Sequence, residues 1–158
     1  DKGVIESKGL VAQRLIRTGE IVSRLEPDQP MVLISEVISW PEDKQDELLH
    51  YGYQCDAHHI VSEQGDEKYM NHSCDPNTWW VDDNTMVARR DIQPGEEITY
   101  DYATTEITIP FVMACHCGAE NCRGEVTNLD YQNDEWQARF GKHLPQHVLD
   151  AISDAKAE

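Results

Sequence analysis

Short apolar pairs recur along the first third of the chain, Val4-Ile5, Leu10-Val11, Leu15-Ile16, Ile21-Val22 and the run Met31-Val32-Leu33-Ile34, separated by Gly9, Gly19, Pro27 and Pro30. This spacing predicts short strands in small sheets. Ser39-Trp40-Pro41-Glu42 reads as a helix start, with Ser39 as N-cap, proline in the first turn and glutamate three residues after the cap. Leu48, Leu49 and Tyr51 supply that helix with an apolar face, and Gly52 ends it. Extended pieces return from Tyr53, through Val87-Ala88, to Ile98-Thr99-Tyr100-Asp101-Tyr102 after the turn at Pro94-Gly95. Beyond the cysteines at 115 to 122 the period changes. Asp134 can cap a helix bearing Trp136 and Phe140 at i, i+4, and Pro145 can open another whose stripe is Leu144, Val148, Leu149 and Ile152.

A length of 158 residues suits one domain, and 39% hydrophobic residues are enough for a core. No apolar run approaches the roughly 20 residues of a bilayer span, so no membrane association is expected. The opening Asp1-Lys2-Gly3 has no basic-then-apolar leader and gives secretion no support. Thirteen Lys and Arg against thirty Asp and Glu leave a formal charge of −17, which repels a phosphate backbone and attracts cationic partners. Direct nucleic-acid binding is not expected. A basic, lysine-containing peptide is a compatible partner, although acidity also serves solubility alone.

Cys115-His116-Cys117-Gly118-Ala119-Glu120-Asn121-Cys122 is the sharpest chemical signal. Thiolates one residue apart, a glycine for the turn and a further thiolate five residues on can occupy three corners of a tetrahedron around Zn²⁺. The fourth ligand must come from Cys74, Cys55 or His116, of which His116 is the least suited, being held between two ligands. Disulfides or plain buried thiols are the rival readings. The odd count of five cysteines argues against an oxidised framework and for a reducing compartment, cytoplasm or nucleus.

Asn71-His72-Ser73-Cys74-Asp75-Pro76-Asn77, then Gly95-Glu96-Glu97-Ile98-Thr99-Tyr100-Asp101-Tyr102, then the cysteine cluster ending Cys122-Arg123-Gly124, resembles the SET-domain lysine methyltransferases with their post-SET zinc motif. The resemblance is strong from Lys68 to Gly124, fair over Glu6 to Val22, and absent beyond Asn128. It implies a mainly β fold, several small sheets with a knot-like substructure, over residues 1–110. A post-SET zinc segment over 111–128 and short C-terminal helices over 129–158 would follow. It also implies S-adenosylmethionine as methyl donor and structural zinc on Cys74, Cys115, Cys117 and Cys122, leaving Cys55 as a core residue. By the same resemblance Asn71 and His72 contact the donor, and Ser7-Lys8-Gly9-Leu10 is the donor-binding turn, with Ser7 where a glycine is usual. Tyr53 and Lys68 also face the donor, and His116 approaches the adenine.

A strand projects i and i+2 to one side, so Tyr100 and Tyr102 can both address a small object such as an amine. A lysine ammonium must be desolvated, deprotonated and aligned before it attacks a sulfonium methyl. The resemblance makes Tyr102 the catalytic tyrosine and places Tyr100 at a tyrosine/phenylalanine switch, which implies mainly monomethylation. The family usually carries Glu-Tyr-x-Gly-Glu after the first turn, whereas this chain reads Arg24-Leu25-Glu26-Pro27-Asp28-Gln29, with Leu25 where a channel tyrosine is usual. That departure keeps two alternatives in view, a silent module binding a basic peptide and a methyltransferase with a non-protein acceptor. Trp79 and Trp80 should point to opposite faces of a strand, both packing in the core or one stacking on a cation.

Overall fold

The computed structural model describes residues 8–157; Val4-Ile5 and Ser7 lie outside them. The strands are short, as the apolar pairs require, and they join in separate small sheets. β1 (Leu10–Val11) pairs antiparallel with β9 (Glu97–Tyr100), whose other edge takes β6 (Asn71–His72) in parallel. β2 (Ile21–Arg24), β8 (Thr85–Ala88) and β7 (Thr78–Trp80) form a second sheet in the order β2-β8-β7. β3 (Met31–Leu33), β5 (His59–Ser62) and β4 (Gly52–Gln54) form a third in the order β3-β5-β4, and β10 (Val112–Ala114) makes a hairpin with β11 (Glu125–Thr127). The helices are α1 (Ile34–Val37), α2 (Glu42–Tyr51), α3 (Asp134–Phe140) and α4 (Gln146–Ala157). None is long and apolar enough to cross a membrane.

Local chemistry departs from the sequence expectations at several ends. The apolar run from Met31 divides: Ile34 begins α1 and is buried with Val37, because a helical turn brings i and i+3 to one face. Ser39 caps nothing. α2 begins at Glu42 without a side-chain cap, and Ser39 Oγ donates to the carbonyl of Glu36 at 2.6 Å, where it completes the end of α1. The cap of α3 is Asn133 rather than Asp134. Asn133 is extended and its Oδ1 accepts from Trp136 N–H at 3.0 Å, whereas Asp134 already has helical geometry. Gly52 does end α2, and it enters β4 directly. A Cβ there would lie 2.6 Å from the Val61 carbonyl oxygen and 2.8 Å from that of Leu48, so the close passage requires glycine.

The closing helices join the core around the cysteines. Trp136, Phe140, Leu144 and Val148 pack with Cys74, Ala103, Cys115 and Val126, and Leu149 and Ile152 flank them. Each such side chain stabilises by about 1.5–3 kcal/mol on burial. Trp80 is buried, with its indole N–H donating to Thr104 Oγ1 at 3.0 Å, while Trp79 lies on the other face, stacked on His143 at 3.7 Å with Arg89 over its ring at 5.4 Å.

At the centre lies Asp101, fully buried. Its oxygens accept from Arg123 Nη1 and Nη2 at 2.7 and 2.9 Å, from Trp136 Nε1 at 3.0 Å and from the Ala103 N–H at 3.0 Å. Strand β9, the segment after the cysteines and α3 thus meet on one carboxylate. Arg123→Ala leaves that charge buried without its cation, and a loss of about 3–5 kcal/mol is expected. Thermal denaturation of the variant should show its midpoint lowered by about 6–20 °C.

Candidate active site and metal centre

Cys74, Cys115, Cys117 and Cys122 converge, their sulfurs all within 4.8 Å of one another. The Cys74 and Cys115 sulfurs are 3.8 Å apart, the edge of a tetrahedron with Zn–S bonds of about 2.3 Å. Gly118 turns the chain between Cys117 and Cys122 at φ 78°, a conformation that side chains disfavour. Backbone N–H groups point at the sulfurs, from Arg123 to Cys74 at 3.4 Å and from Cys74 to Cys117 at 3.5 Å, as thiolates require. The donor set and its spacing fit zinc in a closed structural site. Cys55 stands apart, buried, with its thiol pushed up to about 12 mainly by desolvation.

Cys74 follows β6, whose parallel pairing to β9 sets Asn71 opposite Thr99 and His72 opposite Tyr100. Asn71 Nδ2 donates to the Lys8 carbonyl at 2.6 Å and to Glu97 Oε1 at 2.9 Å, tying the start of β1 to this pair. Burial lowers His72 to about 4, against the pull of nearby Asp101, so the ring is neutral. Its Nδ1 accepts from the Tyr102 N–H at 3.0 Å, which leaves the proton on Nε2, 3.3 Å from Cys74 Sγ. One imidazole therefore couples the metal cluster to the backbone of Tyr102.

β9 stops at Tyr100, so Tyr102 does not continue the strand as expected. The Asp101 side chain caps a 3₁₀ turn, Tyr102–Thr104, because its Oδ1 accepts from Ala103 N–H. The two rings still meet, with centroids 4.8 Å apart and planes at 47°. Tyr102 Oη donates to the Met70 carbonyl at 2.8 Å, and burial raises the Tyr100 phenol well above its ordinary value.

Both phenols line a cavity of about 540 Å³. Of the sequence-predicted residues, Lys8, Tyr53, Lys68 and Asn71 line it as well. Lys8 sits 4.7 Å from the centre of the Tyr69 ring, and Lys68 lies over Tyr51 and Tyr69 at 5.3 and 5.2 Å. Gly9, Leu10 and His72 are not on its wall: Gly9 is buried, Leu10 packs beneath it in the core with Met70 and Ile98, and His72 faces the sulfurs. His116 is exposed and also off the wall, because the cysteines on either side turn inward and leave it facing out. Leu25 does line the cavity.

Two wall features escaped sequence reading. Glu106 lines the cavity beside the tyrosines, and buried Gln54 holds its segment in place. An acid four residues after Tyr102, ahead of the apolar run from Ile107, was the available signal.

The SET domain family model matches residues 7–103. A histone-lysine N-methyltransferase of Arabidopsis thaliana, ASHH3, is 32% identical over 139 residues, covering 75% of this chain and 35% of that protein. The Set2 histone-lysine N-methyltransferase of Drosophila melanogaster is 30% identical over 136 residues, covering 75% of this chain and 6% of that protein. Among solved structures, KRYPTONITE in complex with mCHG DNA and SAH superposes with TM-score 0.58 at 20% identity, over 78% of this chain and 27% of that one. The methyltransferase domain of human SETMAR superposes with TM-score 0.53 at 21% identity, over 73% and 52%. The small interleaved sheets around β6 and β9 are thus a SET fold. The chain belongs to the SET-domain family, and it spans about a third or less of the length of these curated relatives.

Since Cys74 and Cys115 belong to the core that holds the closing helices, removing metal should loosen both cluster and cavity. Chelation of zinc-loaded protein is expected to cost about 3 kcal/mol or more, a fall in melting temperature of about 6–12 °C, with metal content read by elemental analysis.

Proposed function

We propose that this chain is an S-adenosylmethionine-dependent protein-lysine N-methyltransferase that places mainly one methyl group on a lysine of a basic, histone-like segment. The carrying observation is the pair of phenols, Tyr100 and Tyr102, meeting at 4.8 Å on the wall of a cavity that also takes in Asn71 and two lysines. Relatives named histone-lysine N-methyltransferases and a fold neighbour solved with SAH support the same reading.

The bound donor supplies an electrophilic methyl group on a sulfonium. Lys8 and Lys68 at the cavity are the cations suited to a donor carboxylate, and Asn71 fixes the backbone beside them. Tyr102, anchored through the Met70 carbonyl, aims the acceptor amine, and the Tyr100 hydroxyl crowds out a growing methyl count. A formal charge of −17 draws a cationic tail toward the site and disfavours duplex DNA, so the partner is a protein although the KRYPTONITE neighbour holds DNA. The odd count of five cysteines, four of them gathered as metal-type thiols, supports a reducing compartment, cytoplasm or nucleus.

Transfer of radiolabelled methyl to purified histones and to lysate proteins tests the reading. Zinc-loaded wild type should label a protein band, and Tyr102→Phe should label it about 100-fold less. Calorimetric donor binding with no labelled protein would instead indicate a non-protein acceptor, and no donor binding would indicate a silent module. Mass spectrometry of the product should show one added methyl for wild type and more for Tyr100→Phe; an unchanged distribution would remove the role given to Tyr100.

A further inference from the structure

Tyr102 and Glu106 are four residues apart on one continuous turn, the Glu106 N–H donating to the Tyr102 carbonyl at 3.1 Å, and both side chains line the cavity. Glu106 is held from two sides. Its Oε2 accepts from the Gln54 N–H at 2.9 Å, and the Thr105 side chain bonds it as well. Gln54 is 1% exposed and clamps the whole segment: its Oε1 accepts from the Ile107 and Thr108 N–H groups, each at 3.1 Å, and its Nε2 donates to Thr108 Oγ1 at 2.8 Å. From below, His147 Nε2 of α4 donates to the Thr105 carbonyl at 2.9 Å. The carboxylate is thus fixed on the same wall as the paired phenols.

We infer that Glu106 is the proton acceptor for the acceptor amine in this chain, a catalytic role resting on the methyltransferase reading above. The incoming ammonium gives one proton to the Glu106 carboxylate, leaving a neutral amine and a neutral carboxyl. The amine lone pair then forms the N–C bond as the methyl–sulfur bond breaks, its electrons staying on sulfur to leave a thioether. The product is a methylammonium, and Glu106 passes its proton to water before the next turnover. Charge disappears in the first step, so a dry cavity favours it: burial pulls the ammonium down and the carboxyl up toward each other. Desolvation raises Glu106 to about 7, which leaves it part ionised near neutral pH.

The groups facing Glu106 do not compete for that proton. Tyr53 from β4, Cys55 just after it and Tyr100 from β9 are all pushed up by burial, Cys55 to about 12, and are neutral here. Asp46 and His50 on α2, Glu63, Glu67, Lys8 and Lys68 also line the cavity, and a variant at Glu106 separates its contribution from theirs.

Glu106→Gln keeps the shape and an oxygen for the Gln54 N–H. Three readouts are taken on zinc-loaded protein. Infrared titration of ligand-free protein should show a carboxyl ionising near pH 7 that is absent from Glu106→Gln. Calorimetry with n-butylamine, a lysine side-chain analogue, should show affinity rising with pH through that range in wild type and flat in the variant. For methyl transfer to the labelled protein, wild-type kcat/KM should fall on the acid side of about 7, while the variant is about 100-fold slower at neutrality and recovers as pH nears the lysine value of about 10.4. Wild type active, with the variant showing the same pH profile, or only a raised KM at every pH with kcat kept, overturns the role of Glu106 and leaves the methyltransferase reading standing. Wild type labelling no protein while binding donor overturns both.

Discussion

The buried carboxylate of Asp101 is the constraint on which the rest depends. It stands between the two tyrosines, ends β9, caps the turn that carries Tyr102, and receives the Arg123 guanidinium and the Trp136 indole. A charge removed from water is tolerated only when each lone pair is met, so the segments supplying donors are obliged to arrive together. Arg123 and Trp136 lie 22 and 35 residues beyond Asp101 in the chain, and the meeting of β9, the post-cysteine loop and α3 follows from that obligation.

The metal centre acts alongside it through His72. With the imidazole neutral, one nitrogen accepts from the Tyr102 backbone and the other faces Cys74, so the position of the tyrosine and the geometry of the sulfurs are set by the same ring. The closing helices belong to this arrangement rather than to an appendage. Trp136, Phe140, Leu144 and Val148 share a core with Cys74 and Cys115, and His147 holds the Thr105 carbonyl beside the cavity. Cysteine cluster, helices and cavity wall are therefore mechanically linked.

The cavity wall combines opposite demands. Phenols and apolar side chains disfavour an ammonium, and among the acids on the wall Glu106 is the one on the same turn as Tyr102, held by the Gln54 N–H. Leu25, standing where related chains usually offer a tyrosine, makes one part of the wall more apolar, while Glu106 makes another more polar.

Much of this was legible in the residues themselves. Cysteine spacing indicated a metal cluster, apolar pairs between turns indicated short strands, and the alternation at Trp79 and Trp80 fixed opposite faces, because ligand geometry and the pleat act over a few residues. Tyr100 and Tyr102 were legible as partners, though by the wrong route: a strand was expected and a capped turn brings the rings together. Sequence position alone could not place His72 behind the wall, His116 outside it, or Glu106 on it. Those placements depend on contacts between residues tens of positions apart, such as Gln54 with Glu106 and Asp101 with Arg123, and no local period encodes them. Family, metal-type thiols and paired phenols can be read from the residues in order; which polar groups share one cavity follows only from the folded chain, because burial and the need to satisfy each buried polar atom are properties of the assembled molecule.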